Sequence, residues 1–143
     1  MSDDSAVRAA HEIKEFFIER DLFARHCGIE LLEVGPGTAV ARMALGEQHL
    51  NGLRMAHGGA IFTLADYTFA AASNSRGQAA VAVSVTISFV KAAGSGVLRA
   101  EAREVSLSSR LGVYMIEVRD DAGELVAVFQ GTAYRKSMLL PFG

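Results

Sequence analysis

The hydrophobic and polar positions of the chain fall into one long apolar block flanked by alternating segments. Between Met55 and Ser75 the only formal charge is Asp66, and Ile61, Phe62, Leu64, Ala65, Phe69, Ala70, Ala71 and Ala72 surround it. A stretch that is apolar on every face reads as a buried helix. The block opens on Asn51-Gly52, a turn signal, and on His57-Gly58-Gly59. It closes at Asn74, Ser75 and Gly77. A helix is therefore predicted over about 58–75.

The flanks read differently. Val7, Ala10, Ile13, Phe16, Phe17 and Phe23 recur at helical spacing, which predicts an N-terminal helix over about 6–26. Asp3-Asp4-Ser5 suits its start, and Gly28 suits a position just past its end. Its apolar stripe either docks on the main body or walls a ligand pocket. Extended runs are predicted from Ile29 to Val34 and from Thr38 to Leu45, with Gly35-Pro36-Gly37 as the turn between them. In the run from Ala80 to Val90, residues Val81, Val83, Val85, Ile87 and Phe89 fall on one face, with Ala82, Ser84, Thr86 and Ser88 on the other. Gly94-Ser95-Gly96 predicts a hairpin into Val97–Val105. Ser106 to Ser109 reads as a turn or bulge. Strands follow at Leu111–Arg119 and Leu125–Arg135, and a short tail covers 138–143. One helix set before a series of antiparallel strands predicts an α+β fold, a sheet on a buried helix. No repeat or linker divides the chain, so 1–143 is read as one domain.

Composition narrows the function. The net charge is −2, which gives no electrostatic footprint for nucleic acid. Asp66 interrupts the longest apolar run, so no membrane span is expected. Cys27 is the single cysteine, which rules out an intrachain disulfide and points to a reducing compartment. With no apolar signal core near the N-terminus, a cytoplasmic protein is expected. A G-x-S-x-G elbow and phosphate-binding glycine loops are absent. His11, His26, His49 and His57 do not cluster with cysteines or carboxylates at ligand spacing, so no metal is expected. What remains is Asp66. A carboxylate within a buried helix is costly unless it is paired with a nearby hydroxyl or backbone group, or used in chemistry.

The ordered set Asn51-Gly52, His57-Gly58-Gly59 and Asp66, nine residues after the His, resembles the hotdog-fold acyl-CoA thioesterases of the PaaI-like branch. The resemblance continues through Val81–Ala93 to about Lys136. It implies a hotdog fold, a curved sheet wrapped around one central helix. It implies hydrolysis of acyl-CoA thioesters with aryl or medium-chain acyl groups, without a cofactor, by a homodimer that assembles to a homotetramer. By this resemblance Gly58 donates its backbone N–H to the thioester oxygen, and Asn51 orients substrate or water. His57 holds the loop or assists at the carbonyl and sulfur. Asp66 acts as nucleophile or general base, and Ser84, eighteen residues on, positions the water. The Thr that some relatives carry one turn after the carboxylate falls on Ala70. Gly59 lets the ligand approach the helix start. Arg110, Arg135, Lys136 and Lys91 are candidates for the coenzyme A phosphates, since Arg and Lys pair with phosphate.

Helix geometry adds a constraint. If the helix starts at Gly58, Asp66 lies about 12 Å further along its axis at 1.5 Å per residue. Thioester hydrolysis needs a base or nucleophile at the carbonyl carbon and donors at its oxygen, each near 3 Å. One chain cannot bring both ends to one carbonyl. Two antiparallel copies of the helix can, and the resembled family builds its sites at such an interface. Two other readings fit the same fold: a hydratase or dehydratase, and a non-catalytic acyl-CoA-binding protein.

Overall fold

The computed structural model describes residues 3–140. Helix α1 (Asp3–Arg20) and the short α2 (Leu22–His26) precede strands β1 (Ile29–Gly35) and β2 (Thr38–Ala44). A single 3-10 turn (Glu47–His49) leads to helix α3 (Gly58–Ser73). Strands β3 (Gln78–Phe89), β4 (Val97–Leu107), β5 (Leu111–Arg119) and β6 (Leu125–Leu139) complete the chain. The six strands form one antiparallel sheet in the order β1-β2-β4-β5-β6-β3, so the α+β expectation holds.

Helix α3 is the core element. His57 caps its start in extended conformation, and Asn74 closes its end, donating from Nδ2 to the Ala70 and Ala80 carbonyls. Alanine, the best helix former, fills much of it. Ile61, Leu64, Ala65, Thr68, Phe69 and Ala72 are buried against the sheet. The sheet answers with small side chains: Ala39, Ala41, Ala100 and Ala102 are buried beneath the helix. At Gly131 a Cβ would lie 2.7 Å from the Phe69 ring, so only glycine admits that ring.

Four expectations need correction. The N-terminal helix is two helices. Asp21 breaks it with φ −83° and ψ 90°, and its side chain accepts the Ala24 N–H at 3.0 Å, which starts α2. Gly28 does end this segment, at φ +73°. Second, Gly94-Ser95-Gly96 does not close a hairpin, because β3 pairs with β6 at the far edge while β4 lies between β2 and β5. The connection crosses under the start of α3, where Ala56 N–H donates to the Ala93 carbonyl. Third, the alternation of β3 breaks at a bulge between Ala82 and Ser84. One extra residue flips the faces. Val85, Ile87 and Phe89 pair with the buried Gly131, Phe129 and Ala127, whereas Val81 pairs with the exposed Tyr134. The last strand also runs past its expected end at Arg135 to Leu139. Of the expected tail, 141–143 lie outside the described residues.

Candidate active site

Asp66 lies on the stripe of α3 that the sheet leaves half open, with Thr63 and Ala70 one turn to either side. The nearby hydroxyls are committed elsewhere: Thr63 donates to the Gly59 carbonyl and Thr68 to that of Leu64, both at 2.7 Å. Asp66 itself has no hydrogen bond or ion pair among the described residues, so it is not a core carboxylate satisfied within the chain. Burial pushes its carboxyl above the ordinary range, and the negative charge of Asp21 adds to the rise.

At the helix start, counting donors singles out one group. The Ala60 and Ile61 N–H groups both reach the His57 carbonyl, at 2.9 and 3.2 Å. The Gly59 N–H donates to His57 Nδ1 at 2.8 Å. That leaves the Gly58 N–H without a partner among the described residues, at the positive end of the helix dipole. Gly59, expected as a second contact for the ligand, spends its N–H on the cap.

The preceding loop is held from inside. The Asn51 Oδ1 accepts the N–H groups of Leu53 and Met55, at 2.9 and 3.2 Å. This fixes the amide so that its NH₂ is the side left for a ligand. His49 is buried, takes the Gly46 N–H on Nδ1 at 2.9 Å and donates from Nε2 to the Cys27 carbonyl at 2.6 Å. Its own carbonyl accepts the His57 N–H at 2.7 Å. Sequence reasoning gave His49 no role, and no motif marks it, because all its partners are backbone groups. Asn51 and Gly58 line one groove of about 510 Å³, with Leu53, Met55, Ile61 and Phe89 as apolar walls. Phe89 lies so close that a Cβ on Gly58 would come within 3.3 Å of its ring. Asp66 is absent from that groove, as the uninterrupted helix from Gly58 to Ser73 requires.

The remaining candidates sit apart. Ser84 is exposed on β3, opposite Thr132 and next to the bulge. Arg110 donates to the Tyr134 hydroxyl at 3.0 Å and Arg135 to the Ser108 carbonyl at 2.7 Å, while Lys136 is exposed beside them. This cluster lies where Ala80 pairs with Arg135, and the groove lies where Phe89 pairs with Ala127. The eight residues between correspond to about 26 Å of strand. Lys91 does border the groove, but Asp120 (2.5 Å) and Glu124 (2.7 Å) neutralise it, and their hydrogen bonds raise its pKa. Among the described residues no cluster of three or more His, Cys, Asp or Glu could hold a metal, and no helix is long and apolar enough to cross a membrane.

This arrangement has close counterparts. Residues 53–127 match the family described as the thioesterase superfamily. The acyl-coenzyme A thioesterase PaaI of Escherichia coli is 40% identical over 118 residues, which are 82% of this chain and 84% of that one. The chain belongs to the thioesterase superfamily, in its PaaI-like hotdog branch. The structure of the E. coli PaaI protein superposes with a TM-score of 0.90 at 35% identity, covering 94% of this chain and 98% of that one. A mutant form of the phenylacetic acid degradation protein PaaI from Thermus thermophilus superposes at a TM-score of 0.78 with 41% identity, covering 81% and 100%. A putative esterase of Archaeoglobus fulgidus is 40% identical over 124 residues, 86% of this chain and 80% of that one. The PaaI-like chain described here is therefore a thioesterase by family and a hotdog by fold. The buried helix on an antiparallel sheet is the feature that the sequence already carried.

Proposed function

We propose that this enzyme hydrolyses acyl-CoA thioesters bearing aryl or medium-chain acyl groups, at sites shared by two copies of the chain. One observation carries the reading. Among the described residues Asp66 is an unpartnered carboxylate in mid-helix and the Gly58 N–H an unpartnered donor at the helix start, and one continuous helix separates them. Two antiparallel copies of α3 bring the start of one to the middle of the other. The edge strand supports such pairing. Val81, Val83, Val85 and Phe89 are 36–59% exposed along β3, and a long apolar edge invites another strand. Antiparallel pairing of two β3 edges also sets Arg110, Arg135 and Lys136 of one copy beside the Asn51–Gly58 groove of the other, as candidates for the coenzyme A phosphates.

In this site the Gly58 N–H and the Asn51 amide hold the thioester oxygen and its surroundings. Asp66 of the second copy takes the proton of a water, positioned with Ser84, as the water oxygen adds to the carbonyl carbon. The C–S bond then breaks and the departing thiolate takes up that proton. Direct attack by Asp66, with water cleaving the resulting anhydride, uses the same placement. The test mixes two inactive variants, Asp66→Ala and Asn51→Ala, unfolded and refolded together. About a quarter of the sites regain both groups if sites pair opposite chains, and none do if each site lies within one chain. If Asn51→Ala alone keeps activity, Gly58→Pro takes its place.

A further inference from the structure

The segment from Val90 to Gly96 has no regular structure, yet Val90, Lys91 and Ala92 wall the groove that Asn51 and Gly58 line. Few backbone bonds hold it. The Val90 and Lys91 N–H groups share the Val126 carbonyl, at 2.8 and 3.3 Å, and the Ala93 carbonyl takes the Ala56 N–H at 2.7 Å. The same segment backs another wall of the groove, since a Cβ on Gly94 would lie 3.3 Å from Met55 Sδ. The turn between β5 and β6 supplies further anchors. Its Asp120 is organised first: Oδ1 accepts the N–H groups of Ala122 and Glu124, at 3.0 and 2.9 Å. Oδ2 is left for Lys91 Nζ at 2.5 Å, and Glu124 adds a contact at 2.7 Å. Asp121, next in the turn, accepts the Val97 N–H at 3.1 Å. One turn therefore grips the crossover at two points, Lys91 and Val97. A lone exposed ion pair contributes little, but charges in a network, with one carboxylate already fixed by backbone donors, lose less freedom on pairing.

We infer that the Asp120–Glu124 turn is a positioning element for the substrate: it clamps the crossover as the wall of the ligand groove, and Lys91 serves that clamp rather than a phosphate. The inference rests on the reading above that this groove takes the thioester. A wall fixed before the ligand arrives does not have to be ordered on binding. It meets ground and transition states alike, so loosening it raises KM more than it lowers kcat. The two roles open to Lys91 differ in sign at Asp120. For a phosphate contact, removing the Asp120 charge frees the cation and tightens the coenzyme A ester. For a clamp, the same change loosens the wall and weakens the ester.

The test uses the full-length protein with Asp120→Asn, which keeps an oxygen for the Ala122 and Glu124 N–H groups, and with Lys91→Met, which keeps an unbranched stem. KM and kcat are measured for an acyl-CoA and for the same acyl group on pantetheine, which lacks the nucleotide phosphates. Both variants should raise KM about fivefold with both esters, and the double variant should be no worse than Lys91→Met. Hydrogen exchange at the Val90, Lys91 and Ala56 amides should quicken while the middle of α3 stays protected. A KM that falls in Asp120→Asn with the coenzyme A ester alone overturns the inference, and so does a KM unmoved with both esters. Exchange is read without turnover, so amides that exchange at the wild-type rate in both variants overturn the clamp whatever becomes of the proposed reaction. The refolding test of the two-chain site involves neither Lys91 nor Asp120, so the two readings fail separately.

Discussion

The His57 imidazole accepts the N–H of Gly59 at 2.8 Å, two residues into the helix that it caps. The consequence lies one residue earlier: with Gly59 satisfied, the Gly58 N–H is the donor left pointing outward. His57 therefore acts on the site through the loop and helix start. Removing the cap by His57→Ala should cost about 1 kcal/mol of stability, read as a drop of about 4 °C in Tm. His57→Asn, which can also accept from the backbone, should recover most of it. Equal melting of wild type and His57→Ala would show that the cap contributes nothing.

Deleting the Gly58 N–H is the most direct probe of the oxyanion role. Proline is tolerated at the first position of a helix, and His57, at φ −62° and ψ 137°, already has the backbone that a following proline prefers. Gly58→Pro should lower kcat about 10²- to 10³-fold, the usual effect of losing one such donor, with little change in Tm. Gly58→Ala keeps the N–H but sets a Cβ 3.3 Å from the Phe89 ring. It measures the steric part alone and should fall well short of the proline variant. If the two variants lose the same activity, the donor has no special role.

Asp66 ties activity to a stability cost with a definite pH signature. Burial first, and Asp21 second, raise its folded pKa above the unfolded value. The folded state then holds its proton more tightly. Relative to acid conditions, stability falls as pH rises from the ordinary carboxylate value to the raised one, and stays lower above it. Asp66→Asn should abolish turnover by about 10²-fold or more and raise Tm at neutral pH. The gain should vanish at a pH below the unfolded value. A variant less stable than wild type at neutral pH would mean that the carboxylate has a favourable partner in the assembled protein.

The edge strand offers a test of assembly separate from chemistry. Val83 is 59% exposed and Val85 36% exposed on β3. Charged residues on an edge suppress strand pairing, so a Val83→Lys/Val85→Lys variant should sediment as a folded monomer. Its thioesterase turnover should fall to background, because every proposed site needs a second chain. A monomer with wild-type turnover would place the whole site in one chain.

Ser84→Ala addresses the water. If Ser84 positions it, turnover should fall about tenfold with little change in KM, the pattern of an interaction made in the transition state. An unchanged kcat would leave Ser84 an ordinary residue of an exposed strand.

Much of this protein was legible in the linear chain because the signals are local. The apolar block around Asp66, the caps at its ends and the turn glycine Gly28 depend on neighbours within a few residues, and α3 and most strands lie where these signals set them. The separation of Gly58 from Asp66 was equally legible, since helix rise depends on residue count alone. Tertiary structure decided what depends on distant partners. Gly94-Ser95-Gly96 signals a reversal in the chain, but which strand β3 joins depends on β6, far later along the chain. The bulge at Val83 adds one residue against β6 and reverses the faces that the alternation alone had assigned. Lys91 reads as a free cation until Asp120 and Glu124 close on it. Asp21 falls inside the range predicted as one helix, but it breaks that helix and caps α2. Charges act through space with no regard for sequence distance, so these pairings exist only once the chain has folded.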